Sequence, residues 1–438
     1  MSQAKATSIG LGLPFMPTAR LVRHPGVQSE QELIKNVMEI TVPQVISNLT
    51  EATTNAGSMS DEPGAYDTVF AGDYDEVNEY FVRNEWSDGL PIVPPTRERV
   101  DRFLACTDRN AQELLGVMLP DNRAATVWSV AVNGVMAGCR PEYMPILIAL
   151  AEAMIDPDYG VEHSGNTPGS DTLIMLNGPI IKQLGFNYTQ GVMRDGFQSN
   201  TSIGRFWRLY LRNVAGFLLH KTDKGTFGNT WRVVVAENED AVANIGWEPL
   251  SVNMGFEAGD NTVTVARYAS GGMVSSMSGS TPEQLLPFLA AGVVNQTFTW
   301  VGFSVGQGYN KLRPLVLMSP IIAETIASAG WSKRDVQNYL FEHARISARQ
   351  FEVQQRDWRH MPIWNLAEEA EKGNIPKELF AASPDPERMI PLVWSPEHFM
   401  IVVTGDPLRT SCYTFGHNGH MGFPVAKKIR MPAWQTGQ

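Results

Sequence analysis

Short apolar runs that end in polar turns alternate with capped helices along most of this chain, and this alternation limits the possible folds more than any other feature. The runs at 173–176, 233–235, 262–266, 315–318 and 400–403 are each typical of a strand. Helix start signals lie among them, such as Thr281-Pro282 and Ser332 three residues before Asp335. The apolar run at 173–176 indicates a buried strand, whereas the alternation at 262–266 predicts a half-exposed one. Strands that alternate with helices predict an α/β fold.

The first fifty residues are expected to form a small N-terminal β/α fragment. The segments 13–16 and 19–22 indicate short buried strands, and Ser29 with Glu32 forms a capping box that opens a helix. Pro43 is expected to break or kink that helical pattern. One or two strands and a helix cannot bury a core alone. We therefore expect residues 1–50 to dock on the main domain or on a partner chain.

The remaining chain divides into a linker and one large domain. Residues 51–70 are mostly small and polar and lack periodicity, which predicts a linker. Residues 71–438 are expected to form the main α/β domain, in which the polar stretch 343–380 is a helical excursion.

Composition excludes several classes of protein. The net charge is −11 and no basic run occurs, so neither nucleic acid nor an anionic membrane is an expected partner. Three scattered cysteines do not make a disulfide framework, and the first residues lack the apolar region of a signal peptide. We expect a cytoplasmic protein that forms an oligomer.

A cysteine lies in a tight corner between two apolar helices. One helix is expected to end at Gly138 and the next to begin at Pro141, which places Cys139 and Arg140 between them. A helix N-terminus and an arginine both favour a thiolate, so Cys139 is a candidate catalytic thiol and Arg140 a candidate substrate ligand. Alternatively, Cys139 is a small buried residue that packs the junction.

A loop rich in glycines and hydroxyls, residues 191–205, precedes an apolar helix expected at 206–219. Such loops hold anions through backbone N–H groups, and arginine adds a bidentate clamp. Arg194, Ser202 and Arg205 are therefore candidate substrate ligands. The alternative is an extended helix cap with Arg205 on a solvated face.

Polar side chains follow two of the predicted strands. Glu237, Asn238 and Glu239 follow one strand, and Asn177 follows another. Ligands of α/β folds bind beyond the carboxyl ends of strands, so Glu237 is a candidate general base or metal ligand and Asn238 a candidate substrate ligand. A solvated acidic turn is the alternative. His163, in a polar loop, is a further candidate acid or base.

Two histidines three residues apart, His417 and His420, lie in a glycine-rich segment expected to be a loop. Imidazoles at this spacing can share a transition metal, or His420 can act as a catalytic acid or base. No phosphate-binding glycine loop follows a strand, so the sequence has no nucleotide signature and the cofactor stays unknown.

Several segments together resemble a bacterial family. They are residues 86–96 (Trp-Ser-Asp-Gly-Leu-Pro-Ile-Val-Pro-Pro-Thr), 137–145 (Ala-Gly-Cys-Arg-Pro-Glu-Tyr-Met-Pro), 235–239 and 247–250. The family is associated with UGSC-type domains, which are named for a selenocysteine or cysteine in a Cys-Gly-Ser-Cys-like motif. This motif is absent here, and residues 13–50 resemble the end of such a domain. The resemblance implies a thiol-related enzyme and a separate small subunit that completes residues 1–50.

These features predict an enzyme that acts on a small anionic or carbonyl-containing metabolite. Cys139, or a cysteine of the partner, would be the nucleophile or redox group, and the reaction would be a reduction or a carbon–heteroatom cleavage. One alternative is a metal-dependent hydrolase or lyase that uses His417, His420 and a carboxylate. Another is a non-catalytic scaffold subunit of a heteromeric enzyme.

Overall fold

The computed structural model describes residues 8, 16–50, 64, 66–306, 309–353, 364–418 and 422–432. Within these ranges the chain has the predicted α/β fold, in which strands and helices alternate around a curled mixed sheet. No helix in the described ranges has both the length and the apolar character that crossing a membrane requires.

The helices and strands follow one another along the chain in the order of their residue numbers. The helices are α1 (Glu30–Asn36), α2 (Val42–Thr50), α3 (Tyr74–Arg83), α4 (Arg97–Leu104), α5 (Val127–Met136), α6 (Met144–Ile155), α7 (Ile180–Gln183), α8 (Gln198–Tyr210), α9 (Glu239–Asn244), α10 (Leu250–Asn253), α11 (Pro282–Thr297), α12 (Gly302–Val305), α13 (Pro320–Ser328), α14 (Lys333–His343), α15 (Ala348–Val353), α16 (Leu366–Glu371) and α17 (Lys377–Phe380). The strands are β1 (Leu114–Met118), β2 (Arg123–Thr126), β3 (Asp171–Asn177), β4 (Val234–Ala236), β5 (Thr262–Val274), β6 (Leu315–Met318), β7 (Arg345–Ser347), β8 (Met389–Pro391), β9 (Met400–Val403), β10 (Cys412–His417) and β11 (Val425–Lys428).

The main sheet has the strand order β4-β3-β5-β10-β6-β9, and β11 pairs with β5. The outer pairs β3–β4 and β6–β9 are parallel, whereas the pairs in the middle are antiparallel. Strands β4 and β9 stand at the two ends of this strand order, yet their C-terminal ends approach each other. Asn238 N, just after β4, donates to Val403 O, the last residue of β9, at 2.8 Å. The curl thus brings together polar residues from distant parts of the sequence.

Two large apolar cores and a smaller one cover the faces of the sheet. The first core contains α5, α6 and α8, and the second contains α11, α13 and α14. The smaller core lies against side chains of β3, β5, β6, β9 and β10. Each Å² of apolar surface buried in these cores contributes roughly 25 cal/mol to the free energy of unfolding, and this burial is the main source of stability of the fold.

The described part of the N-terminal fragment is helical, and the expectation of a strand at 19–22 is wrong. Those four residues are exposed and have no strand partner within the described ranges. The Ser29–Glu32 capping box is confirmed. Pro43 does not end the helix. A π-helical turn, Val37–Thr41, precedes this proline, and α2 continues past it to Thr50. Residues 13–15 and 51–63 lie outside the described residues.

Three further expectations need correction. Strand β5 is buried over residues 262–268 and not half-exposed, because β3 and β11 flank it and helices cover it. The helix expected at 206–219 begins at Gln198 and gives way to a π-helical turn at Leu211–Ala215. The stretch 343–380 is not wholly helical, since β7 pairs with β8.

Candidate functional site

The polar residues at the ends of β3 and β4, which the strand-end rule singled out one by one, lie together in the structure. Asn177, the last residue of β3, donates through Nδ2 to Glu237 Oε2 at 2.7 Å and to Glu239 Oε1 at 3.0 Å. Glu239 Oε1 also accepts from Gly178 N at 2.8 Å. The parallel pairing of β3 with β4 brings both strand ends to one edge of the sheet.

Glu237 is the most buried carboxylate of this edge, with 2% of its surface exposed. Its Oε2 also accepts from Leu250 N at 2.7 Å, and its Oε1 accepts from Val403 N at 3.2 Å. Hydrogen bonds from three different segments hold the carboxylate in one orientation. These donors satisfy the oxygens of a carboxylate that has little contact with water.

The cation that faces Glu237 is Lys333, the first residue of α14. Its Nζ lies 3.9 Å from Glu237 Oε1, 3.2 Å from Asn253 Oδ1 and 3.3 Å from Ile401 O. Lys333 is 5% exposed, and burial lowers the pKa of its amine, although Glu237 and Glu248 oppose that effect. A buried lysine with a lowered pKa is the type of residue that serves as a general base or as an imine-forming amine.

Lys333 also lines a cleft of about 450 Å³ between α14 and the segment that follows α9. The walls of the cleft include Trp247, Glu248, Asn253, Arg334 and Glu397. Trp247 is fixed because its Nε1 donates to Trp331 O at 3.0 Å. The cleft has the size of a site for a small metabolite, with an apolar wall and a few charged groups.

The charges around the cleft balance. Lys333 and Arg334 supply two positive charges, and Glu248 and Glu397 supply two negative charges. Arg334 Nη1 donates to Glu397 at 2.8 Å. A hydrogen bond from Ser395 lowers the pKa of Glu397 to about 2, with further contributions from its own backbone and from Arg334. Glu397 is therefore ionised at neutral pH.

Asn238, a predicted substrate ligand, has a structural partner here. Its side chain accepts from Ala241 N at 3.1 Å and so caps α9. Asparagine is a preferred residue at this position because its oxygen satisfies a free N–H group of the first turn. The capping fixes the direction in which the chain leaves β4, and with it the position of Glu237.

Three other predicted residues, Cys139, Ser202 and Arg205, lie together at a second place. Cys139 is buried, and burial raises the pKa of its thiol to about 12, although a hydrogen bond with Ser202 and the charge of Arg205 act in the opposite direction. The expectation that this thiol ionises easily is therefore wrong. The dipole and charge effects do not offset the loss of water around the thiolate.

Arg205 already has a carboxylate partner. Its Nε and Nη2 donate to the two oxygens of Asp88 at 3.0 and 2.8 Å. Burial opposes ionisation of Asp88, yet the hydrogen bonds and charge of Arg205 lower the pKa of the Asp88 carboxyl. Ser202 Oγ donates to Gln198 O at 2.6 Å, within α8 rather than in a loop.

The remaining candidates are dispersed. Arg140 and Arg194 are exposed, and the Nε of Arg140 lies 3.4 Å from Glu142 Oε2. His163 ends a short 3₁₀ helix and is half-exposed, 3.8 Å from Glu162.

His417 lies in strand β10 and not in a loop. Its Nδ1 is 3.2 Å from both Arg313 N and Lys311 O, and burial lowers the pKa of the imidazole to about 3, helped by the charges of Arg313 and Arg267. His420 lies outside the described residues. In the ranges that the structure covers, no three histidine, cysteine or carboxylate side chains are grouped to hold a metal.

Sequence reasoning missed Lys333, although one signal was present. Lys333 and Arg334 occupy the first two positions of α14, where the helix dipole disfavours cations. Two cations at this end of a helix indicate that something other than helix stability selects them. The capping box of Ser332 and Asp335 already explains why a helix begins here, so the two cations beside it drew no attention in the sequence.

Comparisons with protein-family models, with curated proteins and with solved structures return no match for this chain.

Proposed function

We propose that this chain is an enzyme for a small carbonyl-containing metabolite and that the amine of Lys333 is its reacting group. One observation supports the proposal above all others. A buried lysine lies at a metabolite-sized cleft and faces a buried carboxylate, Glu237, at 3.9 Å. The substrate class is the one that the sequence suggested, whereas the nucleophile is an amine in place of a thiol.

The chemistry that such a lysine performs is imine formation. The ammonium first loses its proton to solvent, and the lone pair of the amine then forms a bond to the carbonyl carbon. The carbonyl oxygen takes up protons and leaves as water while the nitrogen lone pair forms the C=N bond. Amine, carbonyl compound and one proton thus give an iminium ion and water.

The surrounding residues suit this step. The iminium ion has the same charge as the ammonium that it replaces, so Glu237 stabilises both. Asn253 and the carbonyl of Ile401 orient the amine. An iminium ion withdraws electrons from neighbouring bonds, which permits proton removal or cleavage of an adjacent carbon–heteroatom bond. That outcome agrees with the class of reaction expected from the sequence.

Reductive trapping tests the proposal. The full chain is incubated with acetaldehyde, acetone or pyruvate in the presence of cyanoborohydride, which reduces iminium ions, and modified lysines are mapped by mass spectrometry. We expect the main adduct on Lys333. Lys377 is the matched control, because it also begins a helix but is exposed. Adducts on Lys377 and other exposed lysines, with none on Lys333, would contradict the proposal.

A further inference from the structure

The first turn of α14 places two cations, Lys333 and Arg334, and one carboxylate, Asp335, at the N-terminal end of the helix. Ser332 caps this helix of 11 residues, and Arg334 occupies its second position. Both Lys333 and Arg334 line the same cleft. The N-terminal end of a helix adds a partial positive charge to that of the guanidinium. The cleft therefore combines a nucleophilic amine and a carboxylate-binding group on consecutive residues.

Arg334 keeps the capacity to bind a ligand. Among the described residues, only its Nη1 donates a hydrogen bond, and the acceptor is Glu397. The two side chains are 53% and 54% exposed, so their ion pair is weak and a ligand carboxylate can share or replace it. A guanidinium has five N–H donors in a planar fork that matches a carboxylate.

We infer that the substrate of this cleft is a small 2-oxo acid with one carboxylate, which binds Arg334 while the keto carbon faces Lys333. This inference rests on the proposed function. In a 2-oxo acid the carboxylate and the keto carbon are bonded neighbours, and the two groups that would receive them line the same cleft. Glu248 and Glu397 complete the cleft, and their negative charges disfavour a second carboxylate on the substrate.

The test compares two ketones that differ in the carboxylate. Rates of cyanoborohydride trapping on Lys333 are measured with pyruvate and with acetone, and each is divided by the rate with a free lysine analogue to remove intrinsic reactivity. Since an ion pair at this half-exposed guanidinium is worth about 1 kcal/mol, we expect pyruvate to be preferred by about fivefold. Oxaloacetate, with a second carboxylate, should be trapped more slowly than pyruvate.

Two variants localise the preference. Arg334→Gln should remove the preference for pyruvate over acetone, measured as the ratio of the two normalised rates. Arg349→Gln is the matched control, because Arg349 also forms an exposed ion pair, with Glu387, outside the cleft. It should leave both rates unchanged.

The outcomes separate this inference from the proposed function. Equal normalised rates with pyruvate and acetone on Lys333, or a preference that survives Arg334→Gln, would overturn the 2-oxo acid inference while the amine chemistry stands. Absence of an adduct on Lys333 with either ketone would overturn both. A preference for pyruvate that disappears in Arg334→Gln alone supports the inference.

Discussion

The pair formed by Glu237 and Lys333 should be strongly coupled in free energy, because both groups are buried and each compensates the charge of the other. Glu237→Gln removes the nearer counter-charge of the Lys333 ammonium, leaves only Glu248, and gives at least one of the surrounding N–H donors no acceptor. Breaking a buried pair in this way costs about 3–5 kcal/mol of unfolding free energy. Lys333→Met should cost less, about 2–3 kcal/mol, because three hydrogen-bond donors remain to stabilise the carboxylate.

The double variant should lose far less than the sum of the two single losses. With neither charge present, no uncompensated ion is buried, so we expect a loss near that of Glu237→Gln alone and a coupling energy of about 2–3 kcal/mol. Urea unfolding of the four proteins, followed by circular dichroism, measures this cycle.

A second cycle serves as the control. Lys182 and Asp240 approach to 2.6 Å but are 58% and 56% exposed, so solvent and salt should reduce their coupling to a small value. A coupling between Glu237 and Lys333 within about 0.5 kcal/mol of zero would refute the reasoning, since sites without a shared interaction are additive to that extent.

Three further predictions concern the other buried groups. Because burial raises the pKa of Cys139 to about 12 from an ordinary value of 9.0, iodoacetamide should label it at pH 8 roughly a thousandfold more slowly in the folded protein than in urea, and equal rates would contradict this. The pKa of the His417 imidazole is about 3 in the folded protein, compared with an ordinary value of 6.5. Between these two pH values only the unfolded state binds a proton on this side chain. The unfolding free energy should therefore fall as the pH drops from 6.5 towards 3, less so in His417→Gln, and identical pH profiles of the two proteins would refute this. Arg205→Met should lower the unfolding free energy by about 2–4 kcal/mol, as measured in urea, because Asp88 loses both of its hydrogen bonds from the guanidinium; a loss below about 0.5 kcal/mol would count against it.

The strands with continuous apolar residues could be predicted from the sequence, as could the alternating start of β5, whereas β10 could not. The runs at 173–176, 315–318 and 400–403 correspond to β3, β6 and β9 because burial on both faces requires continuous apolar residues. Strand β10 contains a glycine and two polar residues, Gly416, Thr414 and His417. The sequence around His417 therefore predicts a loop. The partners of β10, which are β5 and β6, lie far from it in the sequence, so no local signal reveals the pairing.

The sequence drew attention to some residues of the candidate site and missed others. The rule that ligands bind beyond strand ends pointed to Glu237 and Asn177 separately, and the structure shows that they are hydrogen-bonded to each other. The rule could not identify the donors that reach Glu237 from Val403, 166 residues away, or the amine of Lys333. The burial of Cys139 agrees with the alternative of a small residue that packs the helix junction, but local spacing could not decide between the two interpretations because it does not indicate how much water remains around the thiol.

The most direct test of the account measures how the reactivity of Lys333 depends on pH. Trace acetylation of the folded chain between pH 6 and 11, quantified peptide by peptide, gives an apparent pKa for each lysine amine. The account predicts that Lys333 is acetylated through the cleft and that its inflection lies below the usual 10.5. An inflection at or above 10.5, or acetylation of Lys333 only after unfolding, would contradict a reactive amine at this cleft.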